Sequence, residues 1–124
     1  MCLIVSKDKK PPDSIVYAFK VLREDLMSLH YPMQYQMGVN KATGDLYTEW
    51  NPYGISMING GAIHLYLDWS YAHRLVYRHN QYRPDRLKHV LAEFRCYPDH
   101  FVSWGKADEV CYTQVEMINV MRIK

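Results

Sequence analysis

The stretch Lys88-His89-Val90-Leu91-Ala92-Glu93-Phe94-Arg95-Cys96 (KHVLAEFRC) decides the fold class. Val90, Ala92, Phe94 and Cys96 alternate with Leu91, Glu93 and Arg95. A repeat of two is the repeat of pleated backbone, so one side is apolar and the other mostly polar. The pattern predicts a strand with one buried face.

Working back from it, Ser70 to Asn80 carries Ala72, Leu75, Val76 and His79 at helical spacing, with Arg74 and Arg78 on a separate stripe. Ser70 is the expected cap and Arg83-Pro84-Asp85 the stop. Before the helix, Ile63, Leu65 and Leu67 share one strand face while His64, Tyr66 and Asp68 share the other. Asn59-Gly60-Gly61 between Ile55 to Ile58 and Ala62 to Leu67 predicts a hairpin. A second hairpin is expected where Tyr35 to Val39 and Asp45 to Trp50 flank residues 40–44. Ser14 to Leu22 (SIVYAFKVL) is ambiguous. Ile15, Phe19, Leu22, Leu26 and Leu29 fall at helical spacing behind Asp13, yet β-formers dominate the segment. Met1 to Ser6 reads as a short strand ended by a charged, proline-containing turn. Downstream, Pro98-Asp99 turns the chain into Phe101 to Trp104, and Val110 to Met121 is a long β-rich run. The expectation is one α+β domain over residues 1–124: a mainly antiparallel sheet of about six strands with one or two helices packed on it.

The chain has 124 residues, 48% of them hydrophobic and 23% charged, which excludes a disordered chain. Its apolar runs are shorter than a membrane span requires, and its start lacks the pattern of a secretory signal. Three cysteines, Cys2, Cys96 and Cys111, form neither a CxxC pair nor a zinc set. A cytoplasmic protein with reduced thiols, no disulfide and no membrane contact is expected. The net charge of +2 is too small for nucleic-acid binding by the whole surface.

Several short motifs together resemble a family of small uncharacterised phage and bacterial proteins. They are Met1-Cys2, Ile15 to Leu22 followed by Arg23, Ser28 and Tyr31-Pro32, Tyr35 with Gly38, Gly60 to Tyr66 (GGAIHLY), Ala72, and Val90 to Pro98 with Gly105. The resemblance implies that Ile15 to Leu22 is a strand. It also implies a viral or mobile-element accessory role, such as interference with a host defence system. The pattern breaks after Pro98, where Asp99-His100 stands in place of a Lys-Gly turn.

Five groups of residues are candidates for chemistry or contact. Arg74, Arg78, Arg83, Arg86, Lys88 and Arg95 concentrate cationic charge, interleaved with Tyr71, Tyr77 and Tyr82. Guanidiniums grip phosphates in a forked geometry and tyrosine rings stack on bases, so Arg74, Arg78, Tyr82, Arg83 and Arg86 are the expected ligand-binding set. The plainer reading places Arg74 and Arg78 on a solvated helix stripe. Gln114 and Glu116, two apart on a strand, resemble with His64 and Tyr66 the ADP-ribosyltransferase layout, in which a glutamate holds the nicotinamide ribose; NAD is the cofactor of that alternative, and it requires convergence in one pocket. Cys2 is a candidate nucleophile if Met1 is removed, against a buried strand-end cysteine. Six histidines, His30, His64, His73, His79, His89 and His100, fall at no zinc spacing, so no metal is expected. Tyr31, Tyr35, Tyr47 and Tyr53 belong either to a core or to a face that binds a partner or a second copy.

The main expectation is therefore a non-enzymatic accessory protein without a cofactor. Its partner is a host protein or a small phosphorylated, nucleotide-like ligand, with nucleic acid as a further class that the cationic segment admits.

Overall fold

A computed structural model describes residues 3–4, 10–29, 33–46, 48–50, 56–58, 61–106 and 108–123. In chain order its elements are β1 (Leu3–Ile4), β2 (Val16–Arg23), β3 (Gly38–Lys41), β4 (Thr48–Trp50), β5 (Ser56–Ile58), β6 (Ile63–Tyr66), α1 (Trp69–Tyr82), β7 (His89–Cys96), β8 (Phe101–Trp104), β9 (Glu109–Tyr112) and β10 (Gln114–Met121). The fold is α+β: one antiparallel sheet of seven strands in the order β3-β10-β7-β2-β6-β9-β8, with a single helix packed against it. A smaller sheet has the order β1-β5-β4.

The deciding stretch sits near the middle of the large sheet. β7 pairs with β2 along its whole length, Val16 facing Cys96 and Arg23 facing His89, and with β10 on its other edge. The ambiguous segment is thus a strand. With both edges bonded, β7 must be apolar on both sides wherever each side is covered. Val90, Ala92, Phe94 and Cys96 enter the main core with Ala18, Leu22, Ile63, Leu65, Val110, Tyr112, Val115 and Met117. Leu91, expected on the polar face, is fully buried because α1 lies over it. There it joins Val21, Ala72 and Val76, with Phe19, Tyr66 and Leu75 packed around them.

β9 and β10 are one strand bent at Thr113. The first half pairs with β6 and β8, the second with β7 and β3. The bend is tied by Thr113 N–H donating to the His100 carbonyl at 2.8 Å and by Ala42 N–H donating to the Thr113 carbonyl at 2.8 Å. Because β6 reaches β7 through β2, the pairings run in a ring that closes through this bent strand. The main core fills the concave side, and α1 covers part of the convex side.

Three expectations need correction. β3 pairs with β10 rather than with the 45–50 segment, so the hairpin across residues 40–44 does not form. β5 pairs with β1 and β4, whereas β6 pairs with β2 and β9, so the glycine-rich turn joins two different sheets. In both places the local turn signal marks a bend but does not choose the strand's partner, which is set by burial of side chains from far along the chain. Finally, α1 begins at Trp69, and its cap is Asp68, whose carboxylate accepts from Ser70 N–H at 2.9 Å and Tyr71 N–H at 3.4 Å. Asp68 wins over Ser70 because it is the last residue with extended backbone.

Tyr35 is a core residue, packed edge-on to Phe94 at 5.8 Å between ring centroids. Cys2, Tyr31, Tyr47, Tyr53 and His30 lie outside the described residues.

Candidate ligand pocket

Register along β2 places Val16, Ala18, Lys20 and Leu22 on the concave side. Lys20 is the only charged member of that row, and what it bonds to explains its place. β2 and β6 pair at Phe19 and Tyr66 alone. Past that pair the two strands part, and the ladder no longer supplies a donor for the His64 carbonyl. Lys20 Nζ donates to that carbonyl instead, at 2.8 Å.

The parting opens a pocket of about 310 Å³ beneath α1, which is of the size that holds a small molecule. Lys20, His64 and Glu109 stand at one end, with Tyr66, Tyr71 and Leu75 along the helix side. Glu109 is placed by register, directly across from Tyr66 on β9. Tyr66 and Tyr71 meet edge to face at 5.3 Å, linking β6 to the first turn of the helix. At the other end His79 and His89 stack, His79 from α1 and His89 from the start of β7. Asn80 fixes that junction by accepting from His89 N–H at 2.8 Å and donating to the His89 carbonyl at 3.1 Å.

Burial governs the charges here. Desolvation pushes the Lys20 amine down to about 8, and among the described residues no carboxylate pairs with it. His64 is pushed down to about 4, first by burial and then by the Lys20 charge. His89 falls to about 4 through burial, then through His79 and Arg23. Burial holds the Glu109 carboxyl above the usual carboxylate range, and burial, then Tyr71 and Glu109, raises the Tyr66 phenol. The pocket therefore holds neutral imidazoles and a weakly basic amine near neutral pH, a combination suited to hydrogen bonding and nucleophilic chemistry.

Past the stacked histidines the pocket continues into a shallower cleft. Leu29, His79 and His89 line both, and Arg23, Arg86 and Leu87 line the outer part alone. Arg23 is held by Asp25 at 2.7 Å, while Arg86 is an exposed residue on its side of the mouth.

Of the expected ligand-binding set, Arg86 lines this cleft. Arg74, Arg78, Tyr82 and Arg83 line neither part of it: Arg74 and Arg78 are exposed along the outer stripe of α1, and Tyr82 and Arg83 are exposed at its end. The alternative set is split. His64 and Tyr66 line the pocket, but Gln114 and Glu116 are on β10, with β7 and β2 intervening before β6. Glu116 is instead paired with Arg95 at 3.0 Å, on the part of the sheet that α1 leaves open. Gln114 and Glu116 line neither the pocket nor the outer cleft. Lys20, His79, His89 and Glu109 were not singled out from sequence, although a lysine in the row Val16, Ala18, Leu22 is a signal that this face is interrupted. Among the described residues no group of three or more His, Cys, Asp or Glu side chains is placed to hold a metal ion, and no helix is long and apolar enough to cross a membrane.

No family model, curated protein or solved structure matches the chain.

Proposed function

We propose that the protein is a binding protein for a small, phosphorylated, nucleotide-like ligand, held in the cleft that runs from Lys20 to Arg86. The observation that carries this reading is the cleft's two-part build. Its inner part is walled by Tyr66, Tyr71, Leu75 and Leu29, which suits a flat, largely apolar body. Its outer part opens on Arg23 and Arg86, which suits an anionic group. The stacked histidines at the junction add ring faces, and His89, held at about 4 by burial, adds no charge near neutral pH.

The test is a calorimetric titration with AMP, adenosine and inorganic phosphate. Tightest binding is expected for AMP, with affinity falling about tenfold in Arg86→Ala, the loss of one charge-assisted contact. Equal binding of AMP and adenosine, or no effect of Arg86→Ala, refutes the assignment of the outer cleft. Failure of all three probes to bind refutes the nucleotide-like class.

A further inference from the structure

We propose that Lys20 is a carbonyl-reactive amine, and that the inner end of the pocket captures an aldehyde or ketone as an imine. This deepens the binding reading, on whose pocket it rests, by naming the group that reacts.

Three features converge. A lysine in a concave row of Val16, Ala18 and Leu22 is costly to place, because its charged form loses water and gains no carboxylate in return. Its amine is nevertheless positioned, since one N–H is committed to the His64 carbonyl. A carbonyl accepts a hydrogen bond but does not hold the amine in its charged form as a carboxylate would. The neutral amine thus keeps that bond and still has a lone pair that is not engaged in it, on a residue that lines the pocket. With the amine pushed down to about 8, the neutral fraction near pH 8 exceeds that of an ordinary lysine by about a hundredfold. Glu109 lines the same space, and burial holds its carboxyl above the ordinary range, so it gives up its proton less readily than an exposed carboxyl.

The chemistry balances without an outside oxidant or reductant. The Nζ lone pair adds to the carbonyl carbon, and the carbonyl oxygen takes up a proton from Glu109 or water. Nζ returns a proton to that donor, which protonates the hydroxyl so that it leaves as water while the C=N bond forms, and the resulting iminium gives its last N–H proton to water. Water reverses the sequence, so capture is reversible.

The experiment uses pyridoxal phosphate and 5-deoxypyridoxal, two flat aldehydes of which only the first carries a phosphate and neither can close into an internal hemiacetal, each trapped with sodium borohydride and located by peptide mass mapping. One reduced adduct on Lys20 is expected, formed at least about tenfold faster than on the exposed Lys10, Lys41, Lys88 and Lys106. It should be lost in Lys20→Arg and Lys20→Met. Labelling spread evenly over the exposed lysines, or no adduct on Lys20, overturns the proposal, and the unmutated protein alone decides this if either variant fails to fold. The two readings separate cleanly. Equal labelling of Lys20 by both aldehydes sustains the amine and refutes the phosphate at the mouth. AMP binding without a Lys20 adduct does the reverse.

Discussion

The imidazole rings of His79 and His89 lie parallel, 3.3 Å apart between centroids and 3° from coplanar. His79 Nε2 lies 3.0 Å from the Leu87 carbonyl, which only accepts, so this nitrogen carries a proton. Face-to-face contact of two such rings tolerates little positive charge.

The pH dependence of stability follows first from the burial of His89 and then from its contact with His79. His89 is held at about 4 against 6.5 in the unfolded chain. Between these values the unfolded state binds a proton that the folded state refuses, so stability is full above about 6.5 and declines as pH falls toward 4. His64 adds in the same direction. Urea unfolding at a series of pH values should show this loss, and His89→Gln should flatten it; an unchanged slope in that variant would show that the stacked pair is not its source.

Gly61 has φ of +69°, and a Cβ placed on it would run into the backbone of Asp45 and Leu46. Both the left-handed conformation and the close approach exclude a side chain. Gly61→Ala should cost at least about 2 kcal/mol, read as a lowered urea midpoint with unchanged slope. A loss under half that size would mean the 45–46 segment yields easily.

Asp68 caps α1 through Ser70 N–H and Tyr71 N–H, and no other acidic residue lies in the first turn. Asp68→Ala should cost about 1 kcal/mol and lower the melting temperature by about 4 °C, with Asp68→Asn recovering most of it. Recovery by Asn separates capping from charge; if Asn melts like Ala, the helix dipole rather than the hydrogen bonds carries the effect.

The sheet was legible where side chains alternate. The row Val90, Ala92, Phe94, Cys96 marks the concave core, and Ala72, Leu75, Val76 and His79 mark the inner face of α1, because burial on one side imposes a period on the sequence. Strand partners were not legible. The turn residues at 40–44 and 59–61 announce bends, but β3 belongs beside β10, more than seventy positions later. The site was half legible. Arg86, His64 and Tyr66 were named for their chemistry, and the structure puts them along one cleft. Lys20, His79, His89 and Glu109 were not, because the pocket arises where β2 and β6 part. Such a break in pairing leaves no local mark beyond one lysine among apolar neighbours. Glu116 shows the opposite case: a motif read for catalysis is in an ion pair with Arg95 on the open part of the sheet, of the kind that solvent screens.

Bending one strand to serve both ends of the sheet makes β10 the closing piece of the fold. Among the described residues β3 has a single neighbour in the sheet, β10, and the ring of pairings closes through the corner at Thr113. Without the eight residues 114–121, β3 loses its partner and one flank of β7 is left unbonded, the kind of open edge that invites pairing with another chain.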